Sequence, residues 1–80
     1  MYYVYILQSI NFSKQFYTGF SENICGRLKD HNNGKSSYTS KYKPWKIVYY
    51  CVFYSKKKAL AFEKYLKTAS GIALRNKRLI

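Results

Sequence analysis

Strand-forming residues fill two runs within the first 20 positions, and a polar turn separates them. Residues 2–8 contain mainly Tyr, Val, Ile and Leu, residues 11–15 are polar, and residues 16–20 are again rich in aromatic side chains. Aromatic and β-branched residues favour strands, and a short polar segment between two such runs favours a hairpin. We therefore predict an N-terminal β-hairpin, on which a chain of 80 residues can build one modest core.

The first predicted helix follows this hairpin directly. Ser21 is a suitable N-cap, and Glu22 would then lie in the first turn, where the helix dipole favours an acid. The helix would continue to about residue 32, where Asn33 and Gly34 form a typical helix-ending pair.

The second half of the chain predicts one more strand and two more helices. Residues 34–46 form a polar, basic connection, and residues 47–54 are apolar nearly throughout, which is typical of a central strand. Ser55 can cap a helix over residues 56–68, and a short last helix would cover residues 72–77. The whole chain therefore reads as a single α+β domain: an α/β sandwich of order β-β-α-β-α-(α), with a small three-stranded, mostly antiparallel sheet flanked by helices.

The charge balance is strongly basic. The chain has 15 Lys and Arg against 3 Asp and Glu, a formal net charge of +12 at pH 7. This excess favours a polyanionic partner, most simply nucleic acid, although solubility alone is the simpler alternative. No run approaches the roughly 18 apolar residues of a membrane span, and Cys25 and Cys51 lack metal-binding or disulfide-scaffold spacing. We expect a cytoplasmic protein with reduced thiols and no membrane association, with the nucleoid as a further option for its location.

Glu63 is the acid that is hardest to explain by stability alone, because it lies within the apolar repeat at residues 59–66. A carboxylate beside a core is costly unless a cation or hydrogen bonds compensate it. At helical spacing Glu63 lies at the edge of one apolar stripe, which consists of Ala59, Phe62, Tyr65, Leu66 and Ala69. From this edge the carboxylate could hold one hard metal cation, or it could simply pair with Lys67 one turn later.

The first helix offers a second pair of functional candidates. Ile24 and Leu28 are one turn apart and should face the core, and Arg27 and His31 share an adjoining face. Arginine can stabilise a phosphodiester through two hydrogen bonds, and histidine can transfer a proton near neutral pH. The alternative is a solvated helix face, with His31 near a helix C-terminus, where His is favoured.

The hairpin contributes Tyr5, Tyr17 and Gly19. A neutral tyrosine is a poor base unless neighbouring cations stabilise its phenolate, and strand tyrosines usually serve only packing. A glycine late in a strand indicates a bulge or a close approach of backbone. Two-metal phosphodiester chemistry normally needs several carboxylates, so any such enzyme built on this chain would use a single metal.

Taken in order, these residues resemble the GIY-YIG nuclease superfamily, and in particular its small single-domain bacterial members of the UPF0213 type. The "GIY" segment corresponds to Tyr3-Val4-Tyr5 and the "YIG" segment to Tyr17-Thr18-Gly19, with the spacing expected for the family. Arg27 followed by His31 matches the signature of the family's first helix, and Pro44-Trp45-Lys46-Ile47 resembles the start of the following strand. The helix that carries Glu63 resembles the one that bears the family's metal-binding Glu. The first Gly of "GIY" is replaced by Tyr3 and the Ile of "YIG" by Thr18.

The resemblance implies metal-dependent hydrolysis of DNA phosphodiester bonds by an endonuclease. Glu63 would hold one Mg²⁺ or Mn²⁺ ion, and Arg27 would stabilise the phosphoryl charge. Tyr5, directly or with Tyr17, would activate the attacking water. His31 would assist that proton transfer or orient the phosphate. Gly19 would allow the backbone to approach closely.

The expected partner is DNA, in branched or single-stranded form, bound by a monomer or weak homodimer without a small-molecule cofactor. Lys35, Lys41 and Lys43 follow the first helix and are the candidates for contacts to the DNA backbone. Two other function classes stay open. The first is a non-catalytic, basic nucleic-acid-binding module on the same fold, and the second is a basic surface that binds an acidic protein.

Overall fold

The computed structural model describes all 80 residues, Met1–Ile80. It confirms the α+β fold class, with one three-stranded antiparallel sheet flanked by helices. The elements in chain order are β1 (Tyr2–Ser9), β2 (Phe16–Ser21), α1 (Ile24–Asn32), α2 (Ser37–Ser40), β3 (Trp45–Phe53), α3 (Lys56–Leu66) and α4 (Ala69–Leu74), followed by a π-helical turn at Arg75–Leu79.

The predicted hairpin is present, and its first strand is the centre of the sheet. The strand order is β2-β1-β3, and β1 pairs antiparallel with both neighbours. Because side chains alternate along a strand, Val4 and Ile6 pack with α3 on one face, while Tyr5 and Leu7 pack with Trp45 on the other. Both faces of β1 are therefore buried, and the molecule has two small core clusters rather than one.

The expectation that residues 47–54 form the central strand is wrong. β3 lies at an edge of the sheet, and Tyr50 and Val52 on this strand are exposed. An apolar run shows that a segment suits a pleated surface, but it does not show that helices cover both faces of that segment. Here the covered strand is β1, whose apolar run is shorter in sequence but lies between its two neighbours.

The first helix begins two residues later than the sequence suggested. Asn23 is the N-cap, and its Oδ1 accepts a hydrogen bond of 3.0 Å from the Gly26 N–H. Ser21 is instead the last residue of β2, and its hydroxyl oxygen accepts a bond from the Asn23 N–H. Glu22 consequently lies outside the helix. The predicted end is confirmed, because Gly34 has a φ of +77°, which glycine adopts without strain.

The region after α3 differs from the expected pattern. α3 ends at Leu66, and Thr68 caps α4 by accepting a hydrogen bond from the Gly71 N–H. Gly71 lies in the first turn of α4, where a Cβ would overlap the backbone carbonyl of Tyr65. The glycine therefore allows α4 to fold back closely on the end of α3. No helix of the structure has the length and apolar character needed to cross a membrane.

Candidate active site

Tyr5 and Gly19 lie directly opposite each other on β1 and β2. Tyr5 is 1% exposed, and its phenol ring passes over the backbone of Gly19 so closely that a Cβ at residue 19 would overlap the hydroxyl oxygen. The close contact that the sequence suggested at Gly19 is therefore present, and the group that contacts its backbone is the side chain of Tyr5.

His31 is fully buried, which excludes the alternative that it lies on a solvated helix face. Its Nε2 is 3.0 Å from the Tyr5 hydroxyl oxygen, and its Nδ1 is 2.8 Å from Oγ1 of Thr39. Both ring nitrogens are therefore satisfied by other side chains. A histidine held in this way is fixed in position and can exchange a proton only with its two partners.

The hydrogen-bond network indicates which nitrogen of His31 carries the proton. Thr39 Oγ1 donates to the carbonyl oxygen of Ser36 at 3.4 Å, so it is free to accept a bond from the Nδ1–H of His31. Nε2 is then left with a lone pair that accepts the Tyr5 hydroxyl. Burial, helped by the nearby charge of Arg27, lowers the pKa of His31, and this favours the neutral ring that the network requires.

Thr39 belongs to the candidate site but was not predicted from the sequence. It lies in α2, a short helix inside the connection that was expected to be only polar and basic, and it is fully buried. The indole N–H of Trp45 donates to the carbonyl oxygen of Thr39 at 2.7 Å, while the Trp45 backbone N–H donates to Oδ1 of Asn32 at 2.6 Å. Trp45 thereby fixes the helix of Thr39 against the helix of His31. No local pattern marks Thr39, because the contact depends on tertiary structure.

Arg27 approaches the Tyr5 hydroxyl from α1, and its side chain is about two-fifths exposed. Burial raises the pKa of Tyr5, and the hydrogen bonding and positive charge of Arg27 oppose this effect without overcoming it. A neighbouring cation favours the phenolate, as expected, but the cost of ionising a buried phenol is larger. Tyr5 is therefore a neutral hydroxyl at pH 7, and Arg27 is in addition 3.6 Å from Asp30.

Tyr17 completes the buried cluster from β2. Its ring centroid is 4.8 Å from that of His31, and the ring is half-buried among the residues packed on Tyr5, Leu7 and Trp45. Tyr17 thus covers the imidazole on the side of the sheet edge. Tyr17 therefore packs in the core and also lies next to His31, the candidate for proton transfer.

Glu63 lies on α3, which packs against both β1 and β2. Its negative charge contributes to the raised pKa of Tyr5, although more weakly than the other causes. The carboxylate is about one-fifth exposed, and its Oε2 accepts a bond of 3.1 Å from the Lys67 ammonium group. The i,i+4 ion pair with Lys67, which was the alternative interpretation of Glu63, is therefore present.

The donor set near Glu63 is compatible with one hard cation. The structure has no cluster of three or more His, Cys, Asp and Glu side chains that could hold a metal on protein ligands alone. Mg²⁺ commonly uses one or two carboxylates and completes its shell with water and substrate phosphates, which matches a single, partly exposed carboxylate. Glu63 thus fits a magnesium-type ion that is completed by the substrate.

The three lysines of the predicted DNA-contact segment are all exposed. Lys35 is 3.4 Å from Asp30, which also pairs with Arg27, so this lysine lies beside the buried cluster. Lys43 extends to the helix-ending Gly34. The loop after α1 therefore presents its positive charge next to the candidate site rather than on a distant face.

Comparison with known proteins identifies the family. The model of the GIY-YIG catalytic domain matches residues 1–77. This chain belongs to the GIY-YIG family. A UPF0213 protein of Clostridium perfringens is 41% identical over 68 residues, which cover 84% of this chain and 71% of that protein. UPF0213 proteins of Streptococcus pyogenes serotypes M3 and M1 are each 36% identical over 66 residues, which cover 81% of this chain and 70% of those proteins.

In this GIY-YIG protein the structure brings most of the predicted site residues together. Tyr5 contacts both Gly19 and His31, Tyr17 lies against His31 and Arg27 lies next to Tyr5. The carboxylate of Glu63 approaches from the other helix, and the three lysines line the loop after α1. The membership supports a relation to nucleases and a nucleic-acid substrate at the level of the superfamily.

Proposed function

We propose that this protein is a metal-dependent endonuclease that hydrolyses DNA phosphodiester bonds. The observation that carries the proposal is the buried hydrogen bond of 3.0 Å between the Tyr5 hydroxyl and the neutral His31 Nε2. Structural stability alone would be served as well by an apolar pair at this position, because buried polar groups gain little net free energy from pairing. A phenol that can pass its proton to an imidazole is a general base with a built-in proton acceptor.

The raised pKa of Tyr5 determines how such a base would work. A neutral phenol cannot accept a proton from water unless it releases its own proton at the same time. The Nε2 lone pair of His31 accepts that proton, and Thr39 holds the Nδ1–H at the far side of the ring. The incoming water thus forms the new P–O bond as its proton moves to Tyr5 and the Tyr5 proton moves to His31. The bond to the leaving oxygen breaks, and that oxygen takes a proton from solvent.

Arg27 and Glu63 would stabilise the negative charge of the phosphate rather than transfer protons. The Arg27 side chain is about two-fifths exposed beside the Tyr5 hydroxyl, so its guanidinium can bind a phosphate oxygen where negative charge develops. Glu63 would hold one Mg²⁺ or Mn²⁺ ion. When bound, that ion supplies positive charge to the phosphate and the leaving oxygen. Lys35, Lys41 and Lys43 would bind the flanking phosphates, and the net charge of +12 would attract the DNA.

The test is cleavage of labelled single-stranded, duplex and branched DNA, with Mg²⁺, with Mn²⁺ and with EDTA. We expect cleavage that requires metal and is lost in Glu63→Gln, while the affinity for DNA and the folded state are retained. Glu22→Gln is the matched control, because it removes the same charge from an exposed position before α1. Cleavage that persists in EDTA, or equally in Glu63→Gln, would refute the metal role of Glu63.

One observation favours a second candidate function. The carboxylate of Glu63 already pairs with Lys67, so its charge is compensated without a metal ion. A non-catalytic nucleic-acid-binding module would bind DNA in a salt-sensitive manner, ignore Mg²⁺ and tolerate Glu63→Gln. Intact DNA in every condition, with the same binding by both proteins, would establish this function instead.

A further inference from the structure

A pocket of about 290 Å³ opens next to the candidate active site and is not used by the mechanism above. It lies where β2, α2 and the C-terminal helices meet. Two tyrosine rings, Tyr17 and Tyr38, and two cations, Lys67 and Arg75, contribute to its lining, together with apolar side chains and no acid. The Arg75 guanidinium lies 4.6 Å from the centre of the Phe16 ring, which keeps this cation at the pocket wall.

The pocket shares two walls with the catalytic cluster. Tyr17 separates it from His31, since the two rings are 4.8 Å apart between centroids. Lys67 lines the pocket and also binds Glu63 at 3.1 Å. If a polymer binds with one phosphate between Arg27 and Glu63, as proposed above, these two shared walls make the pocket a neighbouring site for its next group.

The composition of the lining defines what that group would be. Aromatic faces favour a planar, stackable ring, and Arg75, which has no acidic partner, favours a negatively charged backbone attached to it. Tyr38 is 44% exposed, and its ring continues a line of aromatic neighbours from Tyr17, at 6.1 Å, to Tyr42, at 5.8 Å. Successive rings of this kind are suited to successive unpaired bases. A base within a duplex has its faces and its pairing edge covered and cannot enter.

We propose that this pocket binds one unpaired nucleobase next to the phosphate at the active site. The inference rests on the proposed function, since it assumes a nucleic-acid substrate, and it extends that function by assigning a substrate class. DNA with a single-stranded or unpaired nucleotide is preferred over uninterrupted duplex, and Tyr38 is the residue on which the base stacks.

The experiment measures binding of the full chain, in EDTA, to short single-stranded DNA in which one abasic nucleotide is moved through the sequence. We expect a position at which loss of the base weakens binding by about 5- to 150-fold, as for a stacked base. Tyr38→Ala should weaken binding of the intact strand by a similar factor and remove the dependence on position. Tyr38→Phe should retain both properties. Tyr54→Ala is the control, because Tyr54 is 87% exposed and lies outside the pocket.

Other outcomes would overturn either the pocket assignment alone or the nuclease proposal as well. If every abasic position is equivalent, or if Tyr38→Ala behaves like Tyr54→Ala, no base occupies the pocket. When Mg²⁺-dependent cleavage persists alongside that result, only the pocket assignment fails and the nuclease proposal stands. Failure to bind any single-stranded, branched or duplex DNA at low salt overturns both.

Discussion

The two sides of the candidate site are held in very different ways. The side built on β1 and α1 is buried, and Tyr5, His31 and Thr39 form a continuous hydrogen-bonded chain within it. No buried side-chain nitrogen or oxygen in the structure lacks a partner. The side built on α3 is a single carboxylate, Glu63, which is partly exposed and bonded only to the flexible Lys67.

This difference indicates which part of the chemistry is prepared before the substrate arrives. A buried and fully satisfied series of hydrogen bonds fixes the direction of proton transfer and makes this side of the site rigid. A partly exposed carboxylate can exchange the ammonium group of Lys67 for a metal ion and a phosphate at little cost, because ion pairs at a protein surface contribute little stability. In the proposed mechanism, the proton-transfer half is therefore preorganised, and the charge-binding half would be completed by the substrate.

The largest effect is expected from Tyr5→Phe, which removes the hydroxyl and retains the ring. We expect the single-turnover cleavage rate to fall by about 10²- to 10⁴-fold, because general base catalysis is lost, while the affinity for DNA is unchanged. The unpaired Nε2 of buried His31 should also lower the free energy of unfolding by about 1–3 kcal/mol. Tyr50→Phe is the control, since Tyr50 is exposed on β3. Wild-type cleavage by Tyr5→Phe would exclude Tyr5 as the base.

A smaller effect is expected from Thr39→Val, which retains the shape of the side chain and removes its hydroxyl. His31 can then lose its preference for the Nδ1–H form and donate from Nε2, so Tyr5 would have no proton acceptor. We expect cleavage to slow by about 5- to 30-fold, equivalent to about 1–2 kcal/mol, with a shifted pH profile and unchanged DNA affinity.

Thr39→Ser restores the hydroxyl and should recover most of the rate. A purely structural role for Thr39 predicts a different result: loss of stability in Thr39→Val without any shift of the pH profile. Thermal unfolding measured beside the kinetics separates the two.

The buried side should also make stability depend on pH. Burial lowers the pKa of His31 in the folded state below the value of about 6.5 expected when the chain unfolds. The unfolded chain then binds more protons as the pH falls, so this contribution to stability is present above about pH 6.5 and is lost below it. The slope from one group is at most about 1.4 kcal/mol per pH unit.

The measurement is denaturant unfolding at a series of pH values between neutral and mildly acidic. His31→Gln should be less stable at neutral pH and should lack this part of the slope. An unchanged slope in His31→Gln would show that other groups cause the acid sensitivity.

The sequence selected residues that the fold brings together, but it did not predict the order of the strands. Tyr5, Gly19, Arg27 and His31 could be found because their spacing follows local rules of strand and helix and matches a known family. The burial of His31 could not be read from its helix, since it depends on Trp45 holding α2 against α1. The edge position of β3 was missed for a similar reason: the apolar run specifies a strand, but the order of strands depends on which helices cover which face.

The smallest effect is expected on the exposed side, at the pair of Glu63 and Lys67. In a double-mutant cycle with Glu63→Gln and Lys67→Met, we expect a coupling of about 0.3–0.5 kcal/mol in the free energy of unfolding, as for an i,i+4 pair on a helix surface. The same cycle measured on Mg²⁺-dependent cleavage should give a much larger loss for Glu63→Gln than for Lys67→Met, because only the carboxylate would bind the ion. Equal losses in both single variants would mean that the pair acts as a structural unit, and the contrast between the two sides of the site would then disappear.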